Sequence, residues 1–471
     1  MTTLIQTTAV KPRTAPLALD ADLIAKYSTQ GPRYTSYPTA LQFTDQFNAD
    51  DYQRHLLRAR SIAAPLSLYV HLPFCRWLCY YCGCNKIVTK KPGVAREYLD
   101  HLAKEIELLT TQIGATRPVT QLHFGGGTPT YLDDAELTEL VHLLASHFNL
   151  DANQEREYSI EIDPRTVSPD RLALLRGLGF NRLSFGIQDT DPHVQQAINR
   201  VQHTEEIIAL VGAARAYRFN SISFDLIYGL PRQNCTTLNH TLDDVIALLP
   251  DRIALYHYAH LPARFAAQKA IERHNLPSAS EKLAMLSLAT TRLIEAGYVY
   301  IGMDHFVRPE DELAQCQKEG HLQRNFQGYS NTLAPDVLGI GVSAISAIGD
   351  SYAQNSRDIS DYYKKLDAGQ LPIDRGVIKS TEDQIRAYVI MQLACNLWVS
   401  AQAFTEKFSI SLWEKFADVQ PKLEEMQQDG IVIIEHDGIT ITETGRMMLR
   451  NVCMVFDQYL NAHTQSYSKT I

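Results

Sequence analysis

Three cysteines, Cys75-x3-Cys79-x2-Cys82, share one short stretch, and Cys84 follows two residues later. Three thiolates on one loop can each hold one iron of a four-iron cube and leave the fourth iron open to a chelating substrate. A structural zinc ion asks for four ligands, usually in two separated pairs. Cys84 offers a fourth thiol but no second pair accompanies it, so the cluster is preferred and zinc is the alternative. Trp77, Tyr80 and Tyr81 add bulk that can shield a cluster or simply pack. Cys235, Cys316, Cys395 and Cys453 are scattered and expected to be reduced thiols, because no export signal suggests a disulfide framework.

Other polar residues fall where sites form. Gly125–Gly127 end a strand, and glycines there let backbone groups approach a ligand closely. No Gly-Lys-Ser/Thr follows, so this is not a P-loop, and Thr130 occupies the sixth position of the dinucleotide fingerprint. Gly339-x-Gly341-x-x-Ala344 fits that fingerprint better, but no convincing strand precedes it and it is set aside. Glu161, Gln188 and Asp225 stand at or just past strand ends. Each alone reads as a satisfied loop residue; three in register behind a cysteine loop point to ligand binding.

These residues need a frame. Strand patterns at Leu66–Leu72, Gln121–Phe124, Tyr158–Ile162, Arg182–Ile187, Ser221–Ile227 and Ile253–Tyr258 alternate with helical ones. Residues 96–114 place Leu99, Leu102, Ile106, Leu109 and Ile113 at spacings of three and four, one apolar face. Similar faces run over Asp134–Phe148, Pro169–Leu178, Glu205–Tyr217, Leu238–Leu249 and Glu281–Ala296. Repeated βα units imply a parallel sheet. Six strong units and a weaker strand near Tyr298–Met303 favour a partial barrel, α/β in class, with its site at the C-terminal ends of the strands. The expected divisions are an arm over 1–50, a partial (β/α)6-type barrel over 51–306, an extension and linker over 307–375, and a C-terminal helical domain over 376–471. Residues 1–50 look irregular. Within them Gly31–Thr39, with two prolines and two tyrosines around Arg33, reads as a surface strap or as a lid. Helical patterns at 381–396, 401–408 and 411–429, then an Asp437-Gly438 hairpin, suggest a winged-helix-like module.

Composition narrows the function classes. The chain has 471 residues, 45% hydrophobic and 21% charged, with a net charge of −9. That excludes disordered and fibrous classes and disfavours nucleic acid or anionic membrane as the main partner. From residue 381 onward 12 acids face 7 bases, so the winged module is expected to pack or cover rather than bind DNA. No apolar run reaches a membrane span. Residues 1–19 faintly resemble a transit peptide, but a cytosolic tail and a cytoplasmic protein are expected.

The cysteine spacing matches the signature of radical S-adenosylmethionine (SAM) enzymes. The longer string Leu66–Lys86 resembles the oxygen-independent coproporphyrinogen III oxidase family. The resemblance runs on through Gly125–Thr130, Glu161–Pro164, Ser184–Gln188, Asp225–Pro231, Tyr258–His260, Gly302–Phe306, Arg324–Tyr329 and Gly341–Ser346. It implies a radical SAM barrel, a [4Fe–4S] cluster on Cys75, Cys79 and Cys82, and two SAM molecules. The cluster-bound SAM would touch Tyr69, Gly126, Glu161 and Ile345; the second would lie against Tyr81, Gly127, Thr128, Gln188, Arg200, Asp225 and Ala259. A 5′-deoxyadenosyl radical would take hydrogen from a propionate β-carbon. Loss of CO2 and one electron then leaves a vinyl group, twice, converting coproporphyrinogen III to protoporphyrinogen IX. Cys84 is expected to be needed for turnover without being a ligand. Four substrate carboxylates call for guanidinium forks, and Arg33, Arg308 and Arg324 are the candidates. A low-potential donor such as flavodoxin or ferredoxin, and a monomer, are expected. The alternative is a haem chaperone that keeps the three-cysteine motif without this activity; the fourth cysteine, the arm and the length favour the enzyme.

Overall fold

The structure is a computed structural model that describes residues 21–153, 155–273, 276–331, 334–460 and 470. The tail at 1–19 lies outside the described residues. Six parallel strands, β1 (Leu66–Leu72), β2 (Pro118–Gly126), β3 (Glu157–Ile162), β4 (Arg182–Gln188), β5 (Ser221–Tyr228) and β6 (Arg252–His257), are joined side by side in chain order. Beyond β6 come the antiparallel β8 (His305–Val307) and then β7 (Val299–Gly302). On the other flank β9 (Asp336–Ile340) runs parallel to β1, followed by antiparallel β10 (Ile345–Ile348), β11 (Ser351–Asn355) and β12 (Ile373–Ile378). The strand path has two ends, so the barrel is partial.

Alternation along the strands explains the curl. Outward positions Leu68, Val70, Leu122, Phe124, Ile160, Leu183, Phe185, Ile222, Phe224, Ile253 and Leu255 are buried under the crossover helices. The helix Val94–Ile113 lays Leu99, Leu102, Ile106, Leu109 and Ile113 on them, all buried, each worth about 1.5–3 kcal/mol. Gly114, with φ +80°, ends that helix in a conformation other residues resist. The inward positions are polar or small: Tyr69, His123, Ser159, Glu161, Ser184, Ser223, Asp225 and Tyr256.

The lower end of the barrel is closed by charge. Arg182 meets Glu157 at 3.3 Å and Glu312 at 2.5 Å, Arg252 donates to Asp311 at 2.8 Å, and Gln121 bonds both Glu157 and Ser330. Beside it Arg117, before β2, donates to Asp336 of β9 at 2.7 Å and to the carbonyls of Ala64 and Pro65 at 2.9 Å each. Both side chains of this pair are 2% exposed. Removing one partner of a buried pair strands the other charge and typically costs about 3–5 kcal/mol. Arg117→Ala is expected to lose stability of that order, read as a shift of the urea unfolding midpoint, and Arg117→Met/Asp336→Leu to recover most of it.

The structure revises three expectations. Residues 1–50 are not irregular throughout: Ala21–Tyr27 is helical. Residues 307–375 mix short strands, two helices and loops, and β9 does lead into Gly339-x-Gly341. All five β9 residues are buried, so no alternation marks it. No helix follows Gly341, whose chain turns into β10, and the dinucleotide reading stays excluded. The C-terminal unit has the helix Thr381–Asn396, the helices Ala401–Phe408 and Gln420–Gln428, and a hairpin of β14 (Val432–Glu435) and β15 (Gly438–Ile441). It also has a third strand, β13 (Trp398–Ser400), paired to β15. The arm is strapped into this unit: Tyr34 and Tyr37 are buried in its core, Tyr34 donates to Asp457 at 2.9 Å, and Arg450 holds the carbonyls of Gly31 and Pro32. No helix among the described residues is long and apolar enough to cross a membrane.

Candidate active site

The cysteine loop leaves the upper end of β1 and is pinned at four points. Ile87 N–H donates to Pro73 O at 2.7 Å and Thr89 N–H to Cys75 O at 3.0 Å, folding the loop back on itself. Tyr80 N–H donates to Ile198 O at 3.0 Å and Asn199 Nδ2 to Leu78 O at 2.8 Å. From below, Gly127 N–H donates to Leu72 O at 2.8 Å; a Cβ on Gly127 would stand 2.5 Å from Pro73 O, so only glycine fits. Cys75 and Cys79 are buried and Cys82 is half-buried. Donors aim at the sulfurs: Thr128 Oγ1 at 3.4 Å from Cys75, and Arg200 Nη1 and Arg165 Nη2 at 3.5 and 3.7 Å from Cys79. The Cys82 thiol is drawn down to about 6 by its hydrogen bond with Cys84 and by Lys86, whereas burial pushes Cys75 up to about 11. Thiols ringed by cationic and hydroxyl donors suit a negatively charged iron–sulfur group. Among the described residues no His, Cys, Asp or Glu side chains converge as single-ion ligands do. Three thiols from one loop, with cationic and hydroxyl donors aimed at their sulfurs, fit a cluster.

Beneath the loop, Glu161 of β3 accepts from Gly126 N–H at 3.1 Å and from His123 Nε2 at 3.3 Å. Burial opposes its charge, but His123 and the Gly126 N–H outweigh that and hold the carboxyl below the ordinary range. Tyr69 stacks on His123 with centroids 5.8 Å apart and donates to His71 Nδ1 at 3.0 Å. His71 Nε2–H then donates to Asn85 O at 3.0 Å, and since a carbonyl only accepts, the tautomer is fixed. Burial lowers the His71 pKa, keeping the ring neutral. Tyr69 pairs in register with Gly339, whose missing side chain lets the Ile345 backbone approach. Tyr69, Gly126 and Glu161 therefore share one wall, with Ile345 beyond Gly339.

A second group lies across the upper ends of β4 to β6. Arg200 Nη2 donates to Gly186 O at 2.6 Å, and a Cβ on Gly186 would stand 2.9 Å from both Arg200 and Gln188. Asp225 is opposite Gly186 in register and accepts from Ser184 at 3.2 Å. Burial, then the Glu161 charge, pushes the Asp225 carboxyl up to about 7. Gln268 donates to Tyr81 O at 3.0 Å and Ala259 O at 3.2 Å, tying those two together. Gly127 and Thr128 sit apart, under the cysteine loop.

Arg33 is ion-paired with Asp304 and lies 5.5 Å over the Tyr256 ring at the upper mouth. Arg324 stacks 4.5 Å over Tyr329, and its buried Nε and Nη1 have no hydrogen-bond partner among the described residues. His305 bridges the two aromatics, edge-on to Tyr256 at 6.2 Å and to Tyr329 at 5.2 Å. Arg308 does not join them: its N–H bonds Asp251 O at the lower end and its side chain meets Glu310 at 2.6 Å. The antiparallel turn into β8 reverses the chain, which puts its last residue at the wrong end of the barrel.

Sequence reasoning missed Asp163, which accepts from Arg165 at 2.6 Å and Arg200 at 3.0 Å and so orients both toward Cys79. It also missed His71 and His123. The signal was available: Asp163 lies two residues past Glu161, and His71 and His123 are in step with Tyr69 and Gly125.

Comparison with known proteins agrees with this geometry. The chain matches the Radical SAM superfamily over residues 69–245 and the HemN C-terminal domain over residues 380–448. It is 49% identical to the oxygen-independent coproporphyrinogen III oxidase of Pseudomonas aeruginosa over 454 residues, 96% of this chain and 98% of that one. Identity to the oxidase of the same name from Escherichia coli is 46%, with the same coverage. A solved structure described as coproporphyrinogen III oxidase (HemN) from Escherichia coli, a radical SAM enzyme, superposes with a TM-score of 0.90 at 45% identity. That match covers 95% of this chain and 100% of that one. With identity near half over almost the whole of both chains, the chain belongs to the oxygen-independent coproporphyrinogen III oxidase family of radical SAM enzymes.

Proposed function

We propose that the chain performs oxygen-independent oxidative decarboxylation of coproporphyrinogen III, turning two propionates into vinyl groups and yielding protoporphyrinogen IX in haem biosynthesis. The observation that carries this is the donor-ringed cysteine loop over a polar barrel interior, in a chain matched over 96% of its length by oxidases of that name. Cys75, Cys79 and Cys82 hold the [4Fe–4S] cluster. With SAM bound, the cluster supplies a 5′-deoxyadenosyl radical, and the protein's part is to place and shield what reacts.

Tyr69, Gly126, Glu161 and Ile345 contact the SAM at the cluster, with Glu161 charged at neutral pH. Tyr81, Gly127, Thr128, Gln188, Arg200, Asp225 and Ala259 contact a second SAM. Arg200 is already engaged by Asp163, Gly186 O and Cys79, so its part is to fix this wall. Arg33 and Arg324 receive substrate carboxylates, Arg324 being the better prepared because two of its buried nitrogens await acceptors. A low-potential flavodoxin or ferredoxin delivers the electron, and the protein acts as a monomer in the cytoplasm.

Cys84 contacts Cys82 but lies two residues from it, which makes joint ligation of one cube strained. Cys84→Ser is expected to keep full iron content and lose most product formation, measured as iron per chain and protoporphyrinogen after anaerobic reconstitution; loss of iron would indicate a four-cysteine site. The decisive experiment is anaerobic turnover of coproporphyrinogen III by reconstituted protein, with product analysis. Stable haem binding without turnover would favour the chaperone reading instead.

A further inference from the structure

Each reductive cleavage of SAM takes one electron, so a reduced carrier has to come close to the cysteine loop. One face of that loop is turned outward. Arg76 follows Cys75 directly, and the bond from Thr89 N–H to Cys75 O brings Lys90 and Lys91 alongside. All three are exposed, and among the described residues none is in an ion pair with a carboxylate. From Tyr52 to Arg96 the sequence has no Asp or Glu and eight Lys or Arg, in a chain of net charge −9. Glu97 and Glu136 border this face, Glu136 being spent on its helix cap through Asp133 N–H at 2.9 Å. Val88 adds an apolar spot at 42% exposure.

Next to Arg76 in the chain, half-buried Trp77 has the Arg165 guanidinium 4.7 Å from its ring. Arg165 is fixed by Asp163 at 2.6 Å and reaches Cys79 Sγ at 3.7 Å. A partner seated on Trp77 is thus two van der Waals contacts from a thiol assigned to the cluster.

We propose that Arg76, Trp77, Lys90 and Lys91 form the docking face for an acidic one-electron carrier protein, and that the Trp77–Arg165 contact is the route by which the electron reaches Cys79. This rests on the function proposed above. A half-buried tryptophan beside arginine and lysine is the composition of an interface centre with a charged rim, and rim charges set the rate of encounter. Three cations are too few to hold a nucleic acid against the charge of the whole chain. With a flavodoxin as carrier, the flavin hydroquinone anion gives up one electron and becomes the neutral semiquinone. The cluster accepts that electron, passing from its 2+ to its 1+ state, with no proton or bond exchanged.

The test uses anaerobic holoenzyme and an acidic flavodoxin. Calorimetry with the oxidised flavodoxin at low and high salt reads docking, absorbance reads cluster reduction by the hydroquinone, and dithionite-driven turnover reads catalysis without a carrier. The variant Arg76→Glu/Lys90→Glu/Lys91→Glu is expected to bind flavodoxin at least tenfold more weakly, with its salt dependence gone, and to be reduced at least tenfold more slowly. Its dithionite-driven turnover and KM for coproporphyrinogen III are expected to stay as in the unaltered protein. Trp77→Ala, checked for four irons per chain, is expected to slow reduction within the flavodoxin complex while dithionite still reduces the cluster. Unchanged flavodoxin binding and reduction in the triple variant would overturn the proposal. So would a raised KM for coproporphyrinogen III under dithionite, which would make this face a steering surface for the substrate. If the unaltered holoenzyme fails to turn over with dithionite and an added one-electron acceptor for the electron lost with CO2, the assigned function fails, and calorimetry still decides docking by itself.

Discussion

Cys79→Ser is expected to abolish reductive SAM cleavage, bringing 5′-deoxyadenosine release to background. Cys79 is the most heavily supported of the three thiols: Arg165 and Arg200 both aim at its sulfur, and Asp163 holds both guanidiniums in place. A serine hydroxyl there binds iron poorly and leaves two buried cations facing a neutral group. Asp163 still pairs both guanidiniums, so the loss is that of the iron bond and of their contacts to the thiolate. Iron per chain, the electron paramagnetic resonance of the reduced protein and 5′-deoxyadenosine release decide it. Cys75→Ser and Cys82→Ser are expected to behave alike. If all three variants keep the cluster and its spectrum, the ligand assignment is wrong.

The two tiers of the site differ in how far they could be read from the chain. The thiol loop is local, and a spacing of three and two residues announces it. The walls are not local, yet the period of a strand exposed most of them: Tyr69, Glu161 and Asp225 lie on inward-facing rows whose outward neighbours are Leu, Ile, Val and Phe. Residues that act by holding another side chain showed only their place on those rows, not what they hold. Asp163 matters because Arg165 and Arg200 converge on it, and Arg200 comes from a different βα unit. β9 was hidden for a related reason. It is buried on both faces against β1, 270 positions earlier at Leu66↔Asp336, so it has neither alternation nor a crossover helix to announce it. Arg308 misled because an arginine just past a turn says nothing of which end of the barrel that turn leaves it on. The antiparallel course of β8 decided that.

Asp225 carries the second large effect, and its charge state gives the expectation a sign. Its carboxyl sits at about 7 because burial and the neighbouring Glu161 charge, which oppose ionisation, outweigh the Ser184 hydroxyl bond and the Arg200 and His123 charges that favour it. Its pKa is raised on folding, so its contribution to stability is complete below the ordinary carboxylate range and is lost as pH rises through 7. Asp225→Asn removes that loss. Without ligand the variant is expected to be more stable than the unaltered protein at pH 8, the gap closing toward pH 5, as read by thermal unfolding. Ligand binding runs the other way. A sulfonium or ammonium placed beside Asp225 favours the ionised carboxylate, so the second SAM should bind more tightly as pH rises from 6 to 8 and release a proton below pH 7. A charge-assisted hydrogen bond at this position contributes about 1.5–3 kcal/mol, enough to separate bound from unbound at millimolar SAM. Asp225→Asn is therefore expected to bind one SAM per chain rather than two, to keep the SAM-induced change in the cluster spectrum, and to lose most product formation. Equilibrium dialysis of anaerobic protein across that pH range measures all of this at once. A variant that is more stable at pH 8 yet still holds two SAM molecules with unchanged pH dependence would leave Asp225 a strained wall residue with no part in binding.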